Sequence, residues 1–290
     1  MKVLFTGGGT AGHINPALAV AGYLRQKEPD VEILYVGNRG GMEERLVAKA
    51  GYPMATITIS GFQRKLTPKN LVRNAQTVVR MFTATSESKR IIQDFAPDVC
   101  VGTGGYVSGP VIREAAKLGI PCVIHESNAY PGVTTKMLAR SVKAVMLAVP
   151  DAKKYFDPSV NCTVTGNPVR GEVLAAQREE SRKALGLDGR PLVLSFGGSL
   201  GASALNRAAA YMLAQSAKEG KYQHIHGYGT HDERFLDELK GFGFDAAASP
   251  QVRLLEYIDN MPQCLSAADL VIGRAGAMTL TEIEAKAKAS

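Results

Sequence analysis

The sequence predicts an α/β protein built from two doubly wound units, each on its own parallel sheet. Three observations carry this expectation. Short apolar runs alternate with longer helical patterns along all 290 residues, the pattern of parallel strands joined by right-handed crossovers. A glycine-rich loop, Gly7-Gly8-Gly9-Thr10-Ala11-Gly12-His13, directly follows the apolar run Val3-Leu4-Phe5. A second, Gly197-Gly198-Ser199-Leu200-Gly201, directly follows Leu192-Val193-Leu194-Ser195-Phe196, about half a chain later. Glycine lets a ligand approach the backbone closely, and the helix start that follows offers unpaired N–H groups and a positive dipole end. Two such loops point to twin nucleotide-type units facing each other across a cleft.

Taken in order, the apolar runs place strands over 2–6, 31–36, 54–59, 98–102, 121–125 and 143–147. Between them the helical spacing of apolar residues places helices over 13–27, 41–51, 69–94, 108–119 and 132–141. The second half repeats the alternation, with strands over 191–196, 222–227, 251–255 and 269–273 and helices over 201–217, 231–241, 259–267 and from 276 onward. Thr165-Gly166-Asn167-Pro168 breaks the periodicity, so the units are expected to run over 1–163 and 164–290. Thr279 to Ala289 reads as a helix that reaches Ser290 without a terminating glycine or proline. With fewer strands in the second half, the expectation is a second unit lacking its last elements.

Composition is that of a globular protein, 45% hydrophobic and 21% charged. No apolar stretch reaches the length needed to span a bilayer, and the first strand begins almost at once, which leaves no room for a signal peptide. Cys100, Cys122, Cys162 and Cys264 show no metal-type spacing, so they read as free thiols, buried in the case of Cys100 and Cys122, in a cytosolic protein. The net charge of +7 is uneven: residues 1–165 carry 20 Lys and Arg against 12 Asp and Glu, whereas residues 166–290 carry 14 against 15. The excess belongs to the first half and points to an anionic partner there.

Gly7-x-Gly9-x-x-Gly12 matches the dinucleotide fingerprint, which also requires an acid at the end of the second strand to hold a ribose. That strand ends in Tyr35-Val36-Gly37-Asn38, and Glu32 lies near its beginning, which demotes a nicotinamide-dependent oxidoreductase. His13 should sit in the first helical turn, beside any group the loop binds. A third loop, Gly102-Thr103-Gly104-Gly105-Tyr106-Val107-Ser108-Gly109, follows Asp98-Val99-Cys100-Val101, and Pro121-Cys122-Val123-Ile124 ends in His125-Glu126-Ser127-Asn128. Carboxyl ends of parallel strands share one rim, so His13, Tyr106, Glu126 and Asn128 are expected to converge.

These residues, with Gly104-Gly105-Tyr106-Val107-Ser108-Gly109-Pro110, Gly166-Asn167-Pro168-Val169-Arg170, Gly197-Gly198-Ser199-Leu200-Gly201-Ala202 and Arg274-Ala275-Gly276-Ala277-Met278-Thr279-Leu280-Thr281-Glu282, closely resemble the MurG family of bacterial transferases. Six ordered motifs carry the resemblance through the whole chain. It implies the GT-B architecture, two Rossmann-like domains, and inverting transfer of N-acetylglucosamine from UDP-N-acetylglucosamine to the muramyl C4 hydroxyl of lipid I, giving lipid II, with no cofactor or metal. By motif, Arg170 and Ser199 belong at the donor diphosphate and Ile258 meets the uracil through its backbone. Ala277, Met278 and Thr279 open a helix toward the diphosphate. Glu282 holds the ribose hydroxyls, and Thr10, Ala11, Gly12 and Asn128 reach the sugar. The transfer requires a base on the first domain; His13 is the first candidate and Glu126 the second.

Two departures from the family stand out. Ala11 occupies a position where the family often has glycine. The family also continues beyond Glu282 through a strand, a glutamine-containing loop and a helix that packs back on the first domain. The chain as given is therefore expected to bind donor poorly and turn over slowly or not at all. The segment 60–92 carries Arg64, Lys65, Lys69, Arg73, Arg80, Lys89 and Arg90 against Glu87 alone, with Leu71, Val72, Ala75, Val78, Val79 and Phe82 in its helical stretch. A cation-rimmed apolar stripe fits a helix at an anionic leaflet. The expected partners are therefore the UDP-sugar, lipid I and the cytoplasmic membrane surface, not nucleic acid. The competing expectations are another glycolipid transferase of the same architecture, a non-catalytic domain that retains only anion or nucleotide binding, and the demoted oxidoreductase.

Overall fold

In the computed structural model the first strand, β1 (Lys2–Thr6), feeds α1 (Ala11–Lys27), and the alternation continues through β2 (Glu32–Asn38), α2 (Met42–Lys49), β3 (Met54–Ile57) and α3 (Pro68–Phe95). It goes on through β4 (Val99–Gly102), α4 (Gly105–Lys117), β5 (Cys122–Glu126), α5 (Val133–Leu138), β6 (Ala144–Leu147) and β7 (Cys162–Val164). The structure describes residues 1–61, 67–230, 232, 234–245 and 249–290; within 68–79 only the side chains of Asn74 and Thr77 are described. Arg64 and Lys65 thus lie outside the described residues, as do the side chains of Lys69, Leu71, Val72, Arg73, Ala75, Val78 and Val79.

The chain divides into two units, Met1–Arg170 and Gly171–Ser290. The first carries seven strands in the order β3-β2-β1-β4-β5-β6-β7, every pairing parallel. Its core runs from Leu4, Val36, Cys100, Ile124 and Val145 in the sheet to Ala84 and Ile92 on α3 and Val107, Val111 and Ile112 on α4. Burial of each such Leu or Ile contributes about 1.5–3 kcal/mol. Strand order reverses between β1 and β4, the switch point beside which ligands bind in open parallel sheets.

The second unit contains α6 (Gly171–Ala175), α7 (Arg178–Ala184), β8 (Leu192–Phe196), α8 (Ser203–Glu219), β9 (Gln223–Gly227), α9 (Phe235–Gly241), β10 (Val252–Leu255), α10 (Met261–Ala267), β11 (Leu270–Gly273) and α11 (Ala277–Ala285). Its four parallel strands follow the order β10-β9-β8-β11, with the switch between β8 and β11. Leu213, Phe235 and Leu239 form a core on one face.

The alternation predicted from sequence is present. The short elements that went unread include β7, which pairs with β6 and draws residues 162–164 into the first sheet, the 3-10 helix Pro150–Tyr155, and α6 and α7. Each is too short to show a period. The helix expected to reach the last residue instead ends at Ala285. The chain turns through Ala287 at φ +48, and Ala289 bridges Leu270 in parallel register. Tertiary pairing at the sheet edge overrides the helical propensity of this alanine- and lysine-rich stretch.

Candidate functional site

The first rim is assembled around the loop after β1, which neighbouring groups pin at Gly7, Gly8, Gly9 and His13. The Tyr35 hydroxyl donates to the Gly7 carbonyl at 2.8 Å, and burial holds that phenol well above its usual range, so it stays a donor. The Gly8 amide donates to the Gly104 carbonyl at 3.3 Å. The Gly9 amide donates to Glu43 Oε1 at 2.8 Å. Thr103 Oγ1 donates to the His13 carbonyl at 2.6 Å. Glycine is required at 105, where φ is +78 and a Cβ would strike the Gly8 carbonyl. The loop after β4 therefore packs backbone-to-backbone on the loop after β1.

His13 occupies the first turn of α1, as expected. Its Nδ1 lies 3.2 Å from the Gly8 carbonyl and 3.3 Å from Thr10 Oγ1. A carbonyl can only accept, so Nδ1 carries the proton and the lone pair sits on Nε2. Burial lowers the ring's pKa, opposed by the Gly8 carbonyl, Glu126 and Glu43. The ring is thus neutral at physiological pH with Nε2 ready to take a proton. A Cβ on Gly104 would strike the ring's Cδ2. The Tyr106 ring lies across Gly9 and Gly61, inside the first turn of α4 rather than in the preceding loop.

Glu126, at the end of β5, is buried and accepts four hydrogen bonds. Oε1 takes the Asn128 amide at 3.0 Å and Asn128 Nδ2 at 2.9 Å; Oε2 takes the Gly132 amide at 2.9 Å and the Thr135 hydroxyl at 2.6 Å. A carboxylate so occupied organises the 127–135 turn and has little lone-pair capacity left for a substrate proton. Geometry therefore ranks His13 ahead of Glu126 as base. Asn128 itself is exposed, with its side-chain amide given to Glu126. Beside it, His125 Nε2 donates to the Gly166 carbonyl at 3.0 Å, tying the Gly166-Asn167-Pro168 turn to the end of β5. Arg170 closes the first unit. Thr10, Ala11 and Gly12 are partly buried around the start of α1.

The second rim has a different character. Gly198 has φ +91 with open space where a Cβ would be, whereas a Cβ on Gly201, φ +85, would strike the Tyr228 carbonyl. Ser199 is partly buried, and its carbonyl accepts from the Thr230 amide at 3.4 Å. The ends of β8 and β11 are adjacent, Phe196 opposite Gly273, so this loop lies beside the start of α11. There Ala277, Met278 and Thr279 precede Leu280, whose amide is the first to bond back, to Gly276 at 2.9 Å. Their three N–H groups point out of the helix end, an anion-binding arrangement. Glu282 is buried one turn further on. Ile258 is buried on the turn after β10, its side chain under Gly227. Beneath the loop, Ser195 Oγ lies 2.7 Å from both His224 Nε2 and His226 Nδ1, all three residues buried.

Sequence reasoning missed Tyr35, Thr103 and Glu43. Glu43 and Glu44 open α2 together and read alike as dipole-favoured surface acids; only the tertiary fold turns Glu43 inward. Among the described residues no three His, Cys, Asp or Glu side chains converge as a metal site, and no helix is long and apolar enough to cross a membrane.

Residues 3–147 match the glycosyltransferase family 28 N-terminal domain and residues 192–290 the glycosyltransferase family 28 C-terminal domain. The UDP-N-acetylglucosamine–N-acetylmuramyl-(pentapeptide) pyrophosphoryl-undecaprenol N-acetylglucosamine transferase of Ruminiclostridium cellulolyticum is 44% identical over 285 residues, 98% of this chain and 76% of that protein. Its Acetivibrio thermocellus counterpart is 42% identical over 286 residues, 98% of this chain and 75% of that protein. The crystal structure of Acinetobacter baumannii MurG superposes with a TM-score of 0.62 at 32% identity, over 97% of this chain and 76% of the other. A UDP-GlcNAc 2-epimerase from Neisseria meningitidis reaches 0.66 at 13% identity, over 96% of this chain and 79% of the other, a likeness of fold alone. With both domains matched in order and such identity along nearly its whole length, the chain belongs to glycosyltransferase family 28.

Proposed function

We propose that this chain transfers N-acetylglucosamine from UDP-N-acetylglucosamine to the C4 hydroxyl of the muramyl sugar of lipid I, forming lipid II for peptidoglycan. The single observation that carries the reading is the 42–44% identity to transferases of that name over 98% of the chain. In the proposed step the C4 oxygen attacks the anomeric carbon and the bond to the diphosphate breaks. The electron pair leaves on the UDP oxygen, the hydroxyl proton passes to His13 Nε2, and an α-linked donor gives a β-linked product. The outward amides of Ala277, Met278 and Thr279 and the 197–201 loop stabilise the leaving diphosphate, with Arg170 and Ser199 beside it. Glu282 holds the ribose, Ile258 meets the uracil, and Thr10, Ala11, Gly12, Tyr106 and Asn128 orient the sugars. Glu126 acts by organising the turn that presents Asn128.

The chain works at the cytoplasmic face of the membrane as a peripheral protein in this reading. On the described part of α3, Phe82 is 74% exposed and Arg80, Lys89 and Arg90 are exposed, while Ala84, Ser88 and Ile92 turn to the core. An exposed aromatic among cations suits an anionic leaflet. The test is transfer of radiolabelled N-acetylglucosamine from UDP to a lipid I analogue, with the linkage read by NMR. Formation of the β-linked disaccharide with no turnover of UDP-glucose is expected. Tight UDP binding without sugar preference, or transfer to other glycolipids only, would overturn the reading.

A further inference from the structure

We infer that Glu43 is the positioning residue of the His13 base, acting through the peptide bond that joins Gly8 to Gly9. The inference rests on the reading of His13 as that base. One peptide plane carries both links: its N–H, from Gly9, donates to Glu43 Oε1 at 2.8 Å, and its C=O, from Gly8, accepts from His13 Nδ1 at 3.2 Å. A carboxylate on the N–H end polarises the amide and makes the carbonyl at the other end a stronger acceptor. The imidazole is thereby held in the tautomer that leaves Nε2 free.

The molecule is built around this side chain. Glu43 is 0% exposed, in the first turn of a helix, where the dipole favours an acid. A Cβ on Gly8, Gly37 or Gly41 would strike it, so three glycines make its chamber. Among the described residues Oε2 has no hydrogen-bond partner, although an unpaired buried carboxylate oxygen is costly. Loop shape alone would be served by a neutral acceptor for the Gly9 amide. The acid adds negative charge, and Glu43 and Glu126 are the two carboxylates that raise the basicity of His13 against its burial. Glu126 acts on the ring's charge from the end of β5 and Glu43 from α2, and Gly104 and Gly105 lie beside the ring, where a Cβ on either would crowd it.

The test is nitrogen-15 NMR of the His13 ring in the full chain, wild type and Glu43→Gln. The amide keeps an acceptor for Gly9 while removing the charge. Wild-type His13 is expected to be protonated on Nδ1, and its pKa is expected to fall by roughly half a unit or more in the variant. An Nε2-protonated wild-type ring overturns the inference by itself, even if the variant does not fold. So does an unchanged or raised pKa in the variant. In the transfer assay Glu43→Gln should lower kcat roughly three- to tenfold, with its acid limb moved to lower pH and KM for UDP-N-acetylglucosamine unchanged. A raised KM at constant kcat would place Glu43 in binding and overturn the relay. The NMR outcome is independent of turnover, so it decides the relay separately from the transfer assay that tests the proposed function.

Discussion

Replacing Glu126 by Gln separates an organising carboxylate from a catalytic one. In the native turn each oxygen serves two donors: the Asn128 amide and Nδ2 on one, the Gly132 amide and Thr135 hydroxyl on the other. Glutamine offers an acceptor at one oxygen position only, and its NH2 group faces the other pair. If NH2 replaces Oε2, the Thr135 hydroxyl can turn and accept, but the Gly132 amide is orphaned. If it replaces Oε1, the Asn128 side chain can flip, but the Asn128 backbone amide is orphaned. Either way one part-buried backbone donor loses its carboxylate acceptor and two charge-assisted bonds weaken, about 2–4 kcal/mol in total. For a unit of this size that corresponds to a fall in Tm of roughly 4–16 °C. Circular dichroism melting should show it, with hydrogen exchange at Asn128 or Gly132 accelerated by roughly one to three orders of magnitude. A variant with wild-type Tm and protected amides that still lost transfer would refute the organising role and return Glu126 to the base assignment.

Substituting His13 by Ala should lower kcat by roughly 10²–10⁴-fold while UDP affinity, read by calorimetry, stays unchanged; a wild-type rate would eliminate it as base. Gly201→Ala places a Cβ in the left-handed region against the Tyr228 carbonyl, costing about 1–2 kcal/mol from backbone conformation before the collision is added. UDP binding should weaken, and unaltered affinity would show that this loop does not hold the nucleotide. Burial depresses His224 to about 3 and His226 to about 4. The unfolded chain therefore takes up protons first as pH falls through 6.5. The stability present at neutral pH should decline toward pH 4 by about 1.4 kcal/mol per pH unit for each ring, measured by urea unfolding. A flat profile between pH 7 and 4.5 would refute their neutral burial. Ser195→Ala removes the shared partner of both rings and should cost about 2–4 kcal/mol in the same assay.

The sheets were legible because apolar runs such as Val3-Leu4-Phe5 and Leu192-Val193-Leu194 are long enough to show a pattern and end in glycine. The rim was legible for the same reason: strand ends of a parallel sheet must gather, so the positions of His13, Tyr106, Glu126 and Asn128 at strand ends can be read from the sequence. What they do there was less legible. Glu126 looks like a base by residue type, and only the count of donors around it reveals its occupation. Glu43 sits in the same dipeptide of acids as Glu44, and nothing in their spacing tells which one turns inward. The strand at Cys162–Val164 and the bridge at Ala289 exist because a sheet edge was available, a tertiary cause with no local periodicity.

The two glycine loops, alike as strings of letters, have opposite electrical wiring. Around 7–9 the Gly8 and Gly9 amides point inward to a carbonyl and a carboxylate, whereas Gly198, Ser199 and Leu200 give their amides to no acceptor among the described residues. The former is a clamp closed on its own protein; the latter leaves its N–H groups open. A duplicated scaffold can thus divide its labour by rerouting a pair of N–H bonds, leaving the motif itself untouched.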